Sequence, residues 1–247
     1  MKIAVVAITR HGISLAGRVI AALPEAQLFA PESFRAAAEA AAPGAFSTYQ
    51  GKTGDQMSAL FAAFDGIVAI VSLGALVRLI APHLQDKTID PAVVVLDAAG
   101  QFVIPVLSGH LGGANALAGR LATALGATAV LTTASDAQQT LAVDLLGREL
   151  GWSIAATHAE IVHCSAAVVN DEAVALVQEA GSADWWVNHA NGRSGPVPTN
   201  LTRFSRLEDV AADQFKATLW ISEREMPVAL APLFSGRCVT YRPAGQP

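Results

Sequence analysis

The sequence has few charged residues, few aromatic residues and only two cysteines, and each scarcity argues against a class of protein. Charged residues make up 15% of the 247 positions, and 16 Lys and Arg against 21 Asp and Glu give a formal net charge of −5. Because the basic residues form no cluster and only 6% of residues are aromatic, nucleic acid is not expected as a partner. Cys164 and Cys238 lie far apart without a C-x-x-C spacing, which predicts free thiols rather than a disulfide framework or a metal site.

Long hydrophobic runs are missing as well. The most apolar stretch, residues 67–81, is interrupted by Ser72, Gly74 and Arg78, so it falls short of the roughly 20 apolar residues that span a bilayer. At the N-terminus, one Lys precedes a five-residue apolar run that is too short for the hydrophobic region of a signal peptide. We therefore predict no membrane partner and a cytoplasmic location.

Hydrophobic residues are abundant but occur in short runs, and 52% of the chain is enough for one large core or two modest ones. Apolar runs alternate with Ala- and Leu-rich runs, which predicts strands alternating with helices. Strands are predicted at 3–8, 64–71, 92–96, 102–107 and 128–132, and helices at 12–22, 75–81, 114–125 and from 135 through 150. This alternation indicates an α/β fold, a mostly parallel doubly wound sheet of the Rossmann or flavodoxin-like three-layer type.

The character of the sequence changes after Gly151, where helical signals shorten. Residues 182–200 collect Gly, Pro, Asn and Ser without periodicity. We predict two domains: an N-terminal α/β domain at 1–144, which contains a glycine-rich loop at 108–113, and a second, smaller α/β domain at 145–247. Strands of the second domain are predicted at 173–177, 217–221 and 238–241.

The glycine-rich segment, "PVLSGHLGGANALAGRLATALGA" at 105–127, matches none of the common glycine motifs. A dinucleotide fingerprint needs G-x-G-x-x-G, but Gly109, Gly112 and Gly113 have a different spacing, which disfavours a nucleotide-binding oxidoreductase. A nucleophile elbow needs a glycine two residues on either side of its serine, whereas Ser108 has Val and His at those positions. No known motif therefore indicates the chemistry of this segment, and only its local geometry does.

That geometry predicts an anion-binding loop. A strand that ends at Leu107, a loop at 108–113 and a helix that begins near Ala114 leave backbone N–H groups unpaired at the helix N-terminus. Such a place binds a carboxylate or a phosphate, and glycines let the ligand approach because they have no Cβ. The alternative is that the glycines only permit a tight turn and close packing of the helix.

The same region resembles a known family. The segments that carry the resemblance are "LVRLIAPHLQDKTIDPAVVVLDAAGQFVIPV" at 76–106 and "LSGHLGGANALA" at 107–118. They resemble the CbiG family in the order, spacing and identity of their residues. "IAVVAITRHGISLAGRV" at 3–19 resembles the first strand and glycine turn of that family, and "VLTTASDAQQTLAVDLLG" at 130–147 resembles the segment that follows its glycine-rich loop. The resemblance runs through nearly the whole chain.

The resemblance implies a reaction of anaerobic cobalamin biosynthesis, the hydrolysis of cobalt-precorrin-5A. Water opens the ring A δ-lactone, and a two-carbon fragment leaves as acetaldehyde to give cobalt-precorrin-5B. The substrate carries the cobalt, so the resemblance implies no cofactor and no protein metal site. A second hypothesis of another class is a non-catalytic corrinoid-binding carrier or scaffold subunit that uses the same anion-binding loops.

For the hydrolase, the resemblance implies a base, donors for an oxyanion and a grip on carboxylate arms. His110 is the candidate base because an imidazole ordinarily titrates near about pH 6.5. Ser108, the second catalytic candidate, either orients His110 or acts as a hydrogen-bond donor, and the absent elbow geometry disfavours a covalent nucleophile. The amides of the loop glycines serve the oxyanion or clamp a carboxylate. The substrate-binding residues expected are Gly12, Gly74, Arg78, Lys87, Asp90, Gly109, Gly112, Gly113, Asn115 and Asp136.

These residues meet in one pocket only if the strands point the same way. Gly12, Gly74 and Asp136 follow predicted strands, so their loops are expected at the carboxyl edge of the sheet, where ligands bind in doubly wound folds. However, the turn at Gly100 makes one of its two strands antiparallel to the rest. If that strand is 102–107, the glycine-rich loop lies at the opposite edge, away from the expected pocket.

Members of the family commonly continue into a further C-terminal domain, whereas this sequence stops at Pro247. We therefore expect a separate C-terminal-domain polypeptide or a homo-oligomer as partner, besides the cobalt-precorrin intermediate itself.

Overall fold

A computed structural model describes residues 1–86, 89–186 and 197–243 of the chain. By their internal contacts the residues divide into two compact units, Met1–Leu131 and Thr132–Pro247. The boundary predicted from the sequence, between residues 144 and 145, lies further along the chain. In the described residues no helix is both long enough and apolar enough to cross a membrane.

The first unit is built on a seven-stranded sheet, as far as its described residues show. Its strands are β1 (Ile3–Ala7), β2 (Gln27–Pro31), β3 (Phe46–Tyr49), β4 (Gly66–Ile70), β5 (Ala92–Leu96), β6 (Phe102–Leu107) and β7 (Thr128–Ala129). Its helices are α1 (Arg10–Ala22), α2 (Arg35–Ala41), α3 (Gly54–Ala63), α4 (Leu73–Ile80) and α5 (Ala114–Leu125). The strand order is β3-β2-β1-β4-β5-β6-β7.

Helices cover both faces of this sheet, so its central strands are apolar throughout. On one face Val5 packs in a cluster with residues of α1 and α5, and on the other Val6 packs in a cluster with residues of α3 and α4. All five residues of β1, β4 and β5 are buried, as expected where helices lie on both sides of a parallel sheet. The predicted doubly wound α/β fold is confirmed.

Two strands of the sheet, β6 and β7, run against the other five. β1 to β5 pair in parallel, whereas β6 pairs with β5 antiparallel. The turn between them is organised by the Asp97 carboxylate, which accepts hydrogen bonds from the amides of Gln101 at 2.8 Å and Phe102 at 2.7 Å. Gly100 supplies the positive φ of +68° that this turn needs. β6 is therefore reversed relative to β1 to β5, and so is β7, which pairs with β6 in parallel.

The second unit has a five-stranded sheet among its described residues, in the order β10-β9-β11-β12-β8. Its elements are α6 (Ala134–Ala137), β8 (Ser153–Ala155), α7 (His158–Val169), β9 (Val174–Gln178), β10 (Leu201–Phe204), β11 (Ala217–Ile221), α8 (Ala231–Phe234) and β12 (Cys238–Arg242). β8 lies at the edge and is antiparallel to β12, whereas the other pairs are parallel.

The helix expected from residue 135 through 150 is wrong, because α6 ends at Ala137. The following segment consists of turns and a short 3-10 helix at Arg148–Leu150, and it buries Leu141 and Val143 in the apolar cluster of the second unit. The Val143 carbonyl accepts a hydrogen bond of 2.7 Å from the buried hydroxyl of Tyr241. A helix would use that carbonyl internally, so the tertiary contact overrides the helical propensity of this segment.

Candidate functional site

The reversed direction of β6 decides where the glycine-rich loop lies. In the register of the β5–β6 pair, Leu107 at the end of β6 lies opposite Val93 near the start of β5. Loop 108–113 is therefore at the edge where the parallel strands begin, which we call the amino edge. Gly12 and Gly74 follow β1 and β4 at the opposite, carboxyl edge. The expectation of one pocket at the carboxyl edge for all of these residues is wrong.

Two further predicted residues lie toward the amino edge with the loop. α4 begins after β4 at the carboxyl edge, and the chain then returns to the start of β5 at the amino edge. Arg78 is in the last turn of α4, exposed and without an ion pair to any described residue. Asp90 lies two residues before β5, and Lys87 is outside the described residues.

A hydrogen bond ties the glycine-rich loop to the segment before β5. The Ser108 hydroxyl donates to the backbone carbonyl of Asp90 at 2.8 Å. The Asp90 carboxylate accepts a hydrogen bond from the backbone amide of Gln85, at 3.1 Å to each oxygen. The backbone amide of Asp90 donates to the Asp86 carbonyl at 2.8 Å. Because the Ser108 hydroxyl proton is used in its hydrogen bond to the Asp90 carbonyl, Ser108 tethers the glycine-rich loop to the segment before β5.

The loop uses its own carbonyls to satisfy the first amides of α5. The amide of Ala114 donates to Ser108 O at 3.1 Å, that of Asn115 to Gly109 O at 2.9 Å, and that of Gly113 to His110 O at 3.0 Å. The expectation that these helix N-terminal amides are unpaired is therefore wrong. The loop curls back on itself, with a φ of +53° at Ser108 and +89° at Gly113, so the Gly113 amide is not a free oxyanion donor in this conformation.

Close packing within the loop accounts for two of its glycines. A Cβ on Gly112 would lie 2.3 Å from the Ser108 Cβ, and a Cβ on Gly109 would lie 2.8 Å from Oδ1 of Asn115. Gly112 has no room for a side chain, because Ser108 Cβ and backbone atoms block it, whereas at Gly109 the Asn115 side chain would have to move. The alternative explanation from the sequence, a tight turn with close helix packing, therefore holds for Gly112 and agrees with the packing at Gly109. His110 and Asn115 are half-buried on this loop and its helix, and both already interact with neighbouring groups.

A cavity of about 410 Å³ lies beside Asp90, between the end of α3 and the residues that precede β5. We call it the amino-edge cavity; its wall includes Phe61, His83, Leu84, Ile89 and Asp90. The His83 ring packs against the Phe61 ring, with 5.8 Å between their centroids. His83 is not among the residues predicted from the sequence, because a single imidazole in "PHLQD" belongs to no spacing motif and only the fold places it in a cavity.

A second cavity, of about 370 Å³, lies at the carboxyl edge between the ends of β1, β4 and β5. Thr9 caps α1 there by accepting a hydrogen bond of 3.0 Å from the Gly12 amide. Gly12 is packed against Ile70, whereas no heavy atom lies within 4 Å of a Cβ built on Gly74. Gly12 is thus explained by packing, and Gly74 borders open space away from the glycine-rich loop.

The last predicted residue, Asp136, belongs to the second unit. Its carboxylate accepts a hydrogen bond from the Thr133 hydroxyl at the start of α6. The thiols of the second unit are free, and burial raises the pKa of Cys164 to about 11 and that of Cys238 to about 12. Both therefore stay protonated near neutral pH. Among the described residues, no group of three or more His, Cys, Asp or Glu side chains is placed to hold a metal ion.

Comparisons with known proteins bear on the whole chain. Residues 55–136 match the family described as cobalamin synthesis G N-terminal, and residues 141–243 match the family described as cobalamin biosynthesis central region. The chain is 38% identical over 241 residues to a cobalt-precorrin-5A hydrolase of Priestia megaterium, covering 97% of this chain and 62% of that protein. It is 35% identical over 185 residues to the protein of the same name from Salmonella typhimurium, covering 75% of this chain and 48% of that protein.

The chain therefore spans less than two thirds of the length of these curated relatives. A solved structure, described as a cobalamin biosynthesis protein G homologue from Sulfolobus solfataricus, matches with a TM-score of 0.47 and 19% identity. That match covers 98% of this chain and 60% of the solved one.

Proposed function

Because the chain belongs to the CbiG family, we propose that it acts as a cobalt-precorrin-5A hydrolase of anaerobic cobalamin biosynthesis. The observation that carries this proposal is the 38% identity, over 97% of the chain, to a relative of that name. We propose a cytoplasmic location on the same grounds. The cobalt enters with the substrate, and no resident cofactor is part of the proposal.

The proposed reaction has two stages. Water adds to the carbonyl of the ring A δ-lactone, and the acyl C–O bond breaks to give a carboxylic acid and a hydroxyl group. The hydroxyl then loses its proton as the carbon–carbon bond to the macrocycle breaks. The fragment leaves as acetaldehyde, and the macrocycle carbon that keeps the electron pair takes up a proton. Both stages need a group that moves protons near neutral pH and donors that stabilise a developing oxyanion.

The amino edge of the first unit is the place that best meets these needs. Arg78, Asp90 and His110 come from three separate stretches of the resemblance-bearing segment 76–118, and the fold brings those stretches toward one edge. The Ser108–Asp90 tether fixes the loop that carries His110. We propose His110 as the base, Ser108 as a residue that positions the loop, and Arg78 with Lys87 as partners of the carboxylate arms.

The test is an anaerobic single-turnover reaction of the purified chain with cobalt-precorrin-5A, in which acetaldehyde is trapped as a hydrazone and quantified. We expect about one equivalent of acetaldehyde per substrate converted. His110→Gln should slow release by about 10²- to 10⁴-fold, the usual contribution of a positioned acid–base group, with little change in affinity. The matched control is His158→Gln, at an exposed position in the second unit, which should leave the rate unchanged.

Tight binding of the intermediate without any acetaldehyde would refute the hydrolase and favour the carrier hypothesis. Equal rates for His110→Gln and the wild-type chain would refute the role of His110 as the base. A lower melting temperature of His110→Gln, with normal turnover by its folded fraction, would show that the imidazole is structural.

A further inference from the structure

The mouth of the amino-edge cavity is lined by two exposed apolar side chains. Leu84 is 45% exposed and Ile89 is 65% exposed, and both lie in the cavity wall with Asp90. Single exposed apolar residues are ordinary on protein surfaces, but neighbouring ones at a cavity mouth are typical of binding sites. Neither side chain belongs to the two apolar clusters of the first unit, so core packing does not explain them.

The size of the cavity limits what enters it. Ligand pockets that enclose a small molecule usually measure about 300–1,000 Å³, and the amino-edge cavity, at about 410 Å³, is at the lower end of that range. A tetrapyrrole with several acid arms is too large and too broad for such a space, whereas one of its arms fits. A macrocycle bound here must therefore lie outside, across the mouth, where its apolar face meets Leu84 and Ile89.

One group inside the cavity suits an acid arm. His83 is in the wall, and its imidazole N–H can donate a hydrogen bond to a carboxylate. The Asp90 carboxylate in the same wall accepts the Gln85 amide and would repel a ligand carboxylate, so the arm is expected on the His83 side of the cavity. An apolar rim around a cavity that offers an imidazole matches a ligand with an apolar ring and charged arms.

We propose that Leu84 and Ile89 form a platform for the face of a corrinoid macrocycle, while one carboxylate arm enters the amino-edge cavity toward His83. This inference rests on the proposed function for the identity of the ligand. It assigns substrate recognition to two residues that take no part in the chemistry. It also places the substrate beside Asp90 and the loop that carries His110.

The test uses a chain with both Leu84→Ser and Ile89→Ser and measures its affinity by absorbance titration with a cobalt corrinoid whose arms are free carboxylates. We expect Kd to rise by about tenfold, equivalent to about 1.4 kcal/mol, with an unchanged melting temperature because both side chains are exposed. A monopyrrole carrying the same kinds of acid arm should bind the variant and the wild-type chain equally. Val228→Ser, at a position 90% exposed in the second unit, is the matched control and should leave the corrinoid affinity unchanged.

Equal corrinoid affinity in the double variant and the wild-type chain would overturn the platform, and so would a failure of the wild-type chain to bind the corrinoid. With cobalt-precorrin-5A as substrate, the double variant should show a raised KM and a kcat within about twofold of wild type, the pattern of lost ground-state binding. Acetaldehyde release with an unchanged KM would refute the platform and leave the hydrolase intact. Weaker corrinoid binding without acetaldehyde from either chain would support the platform and refute the hydrolase.

Discussion

Gly112→Ala is the substitution that most directly tests the geometry of the glycine-rich loop. The new methyl carbon would lie 2.3 Å from the Ser108 Cβ and 2.7 Å from the Ser108 carbonyl oxygen. Ser108 has little freedom to move away, because its carbonyl accepts the Ala114 amide at 3.1 Å and its hydroxyl donates to Asp90 at 2.8 Å. The loop itself must therefore shift, and it carries His110.

The expected loss of stability follows from the hydrogen bonds that such a shift of the loop breaks. Loss of the two hydrogen bonds of Ser108 costs about 1 kcal/mol each, so we expect a loss of about 2 kcal/mol in unfolding free energy. In a chain of this size that lowers the melting temperature by roughly 4–8 °C. Displacement of His110 by about 1 Å is expected to slow acetaldehyde release by about 100-fold, since misplacement on that scale has such an effect on catalytic geometry.

Gly119→Ala is the matched control, seven positions further along the same segment. Gly119 is inside α5, and no heavy atom lies within 4 Å of a Cβ built there. Alanine should stabilise the helix by about 0.5–1 kcal/mol relative to glycine and leave turnover unchanged. The measurements are the thermal melting temperature and the single-turnover rate of acetaldehyde release for both variants. A Gly112→Ala chain with wild-type stability and turnover would refute the loop geometry described above.

Ser108→Ala should slow acetaldehyde release by only about fivefold, because it removes a tether worth about 1 kcal/mol; a loss of more than about 10⁴-fold in the single-turnover rate would instead indicate a covalent nucleophile. The side chain of Glu179 is 9% exposed, and its burial by itself raises its pKa. Hydrogen bonds from Arg224, at 2.5 and 3.0 Å, and from the Leu207 amide have the larger, opposite effect, so that the pKa falls from 4.5 to about 2. This depressed pKa contributes stability that is fully present above about pH 4.5 and is lost as the pH falls toward 2. Glu179→Gln should therefore cost about 2–3 kcal/mol in urea unfolding at pH 7 and about half of that or less at pH 3. The control Glu208→Gln, which removes a more exposed partner of Arg224, should cost at most about 1 kcal/mol, and an equal loss for Glu179→Gln at both pH values would contradict the assignment.

The sequence alone was sufficient for elements that local signals define. The apolar runs at 92–96 and 102–107, separated by a turn with Gly100, are β5 and β6, and the run at 114–125 is α5. Alternation of such runs was also enough to predict the doubly wound sheet, because buried parallel strands have to be apolar on both faces. Local propensity failed after Ala137, where burial of Leu141 and Val143 and the hydrogen bond from Tyr241 determine the backbone.

The arrangement of the candidate site depended on the tertiary structure. A tight turn at Gly100 requires β5 and β6 to be antiparallel, but nothing in either strand says which of them runs against the sheet. That is decided by the parallel pairing of β5 with β4, and it places the glycine-rich loop at the amino edge. Ser108 and Asp90 are eighteen positions apart, and His83 gains a cavity around it only when α3 packs nearby. Contacts between residues so distant in the chain arise from the packing of whole elements, which no local pattern in the sequence encodes.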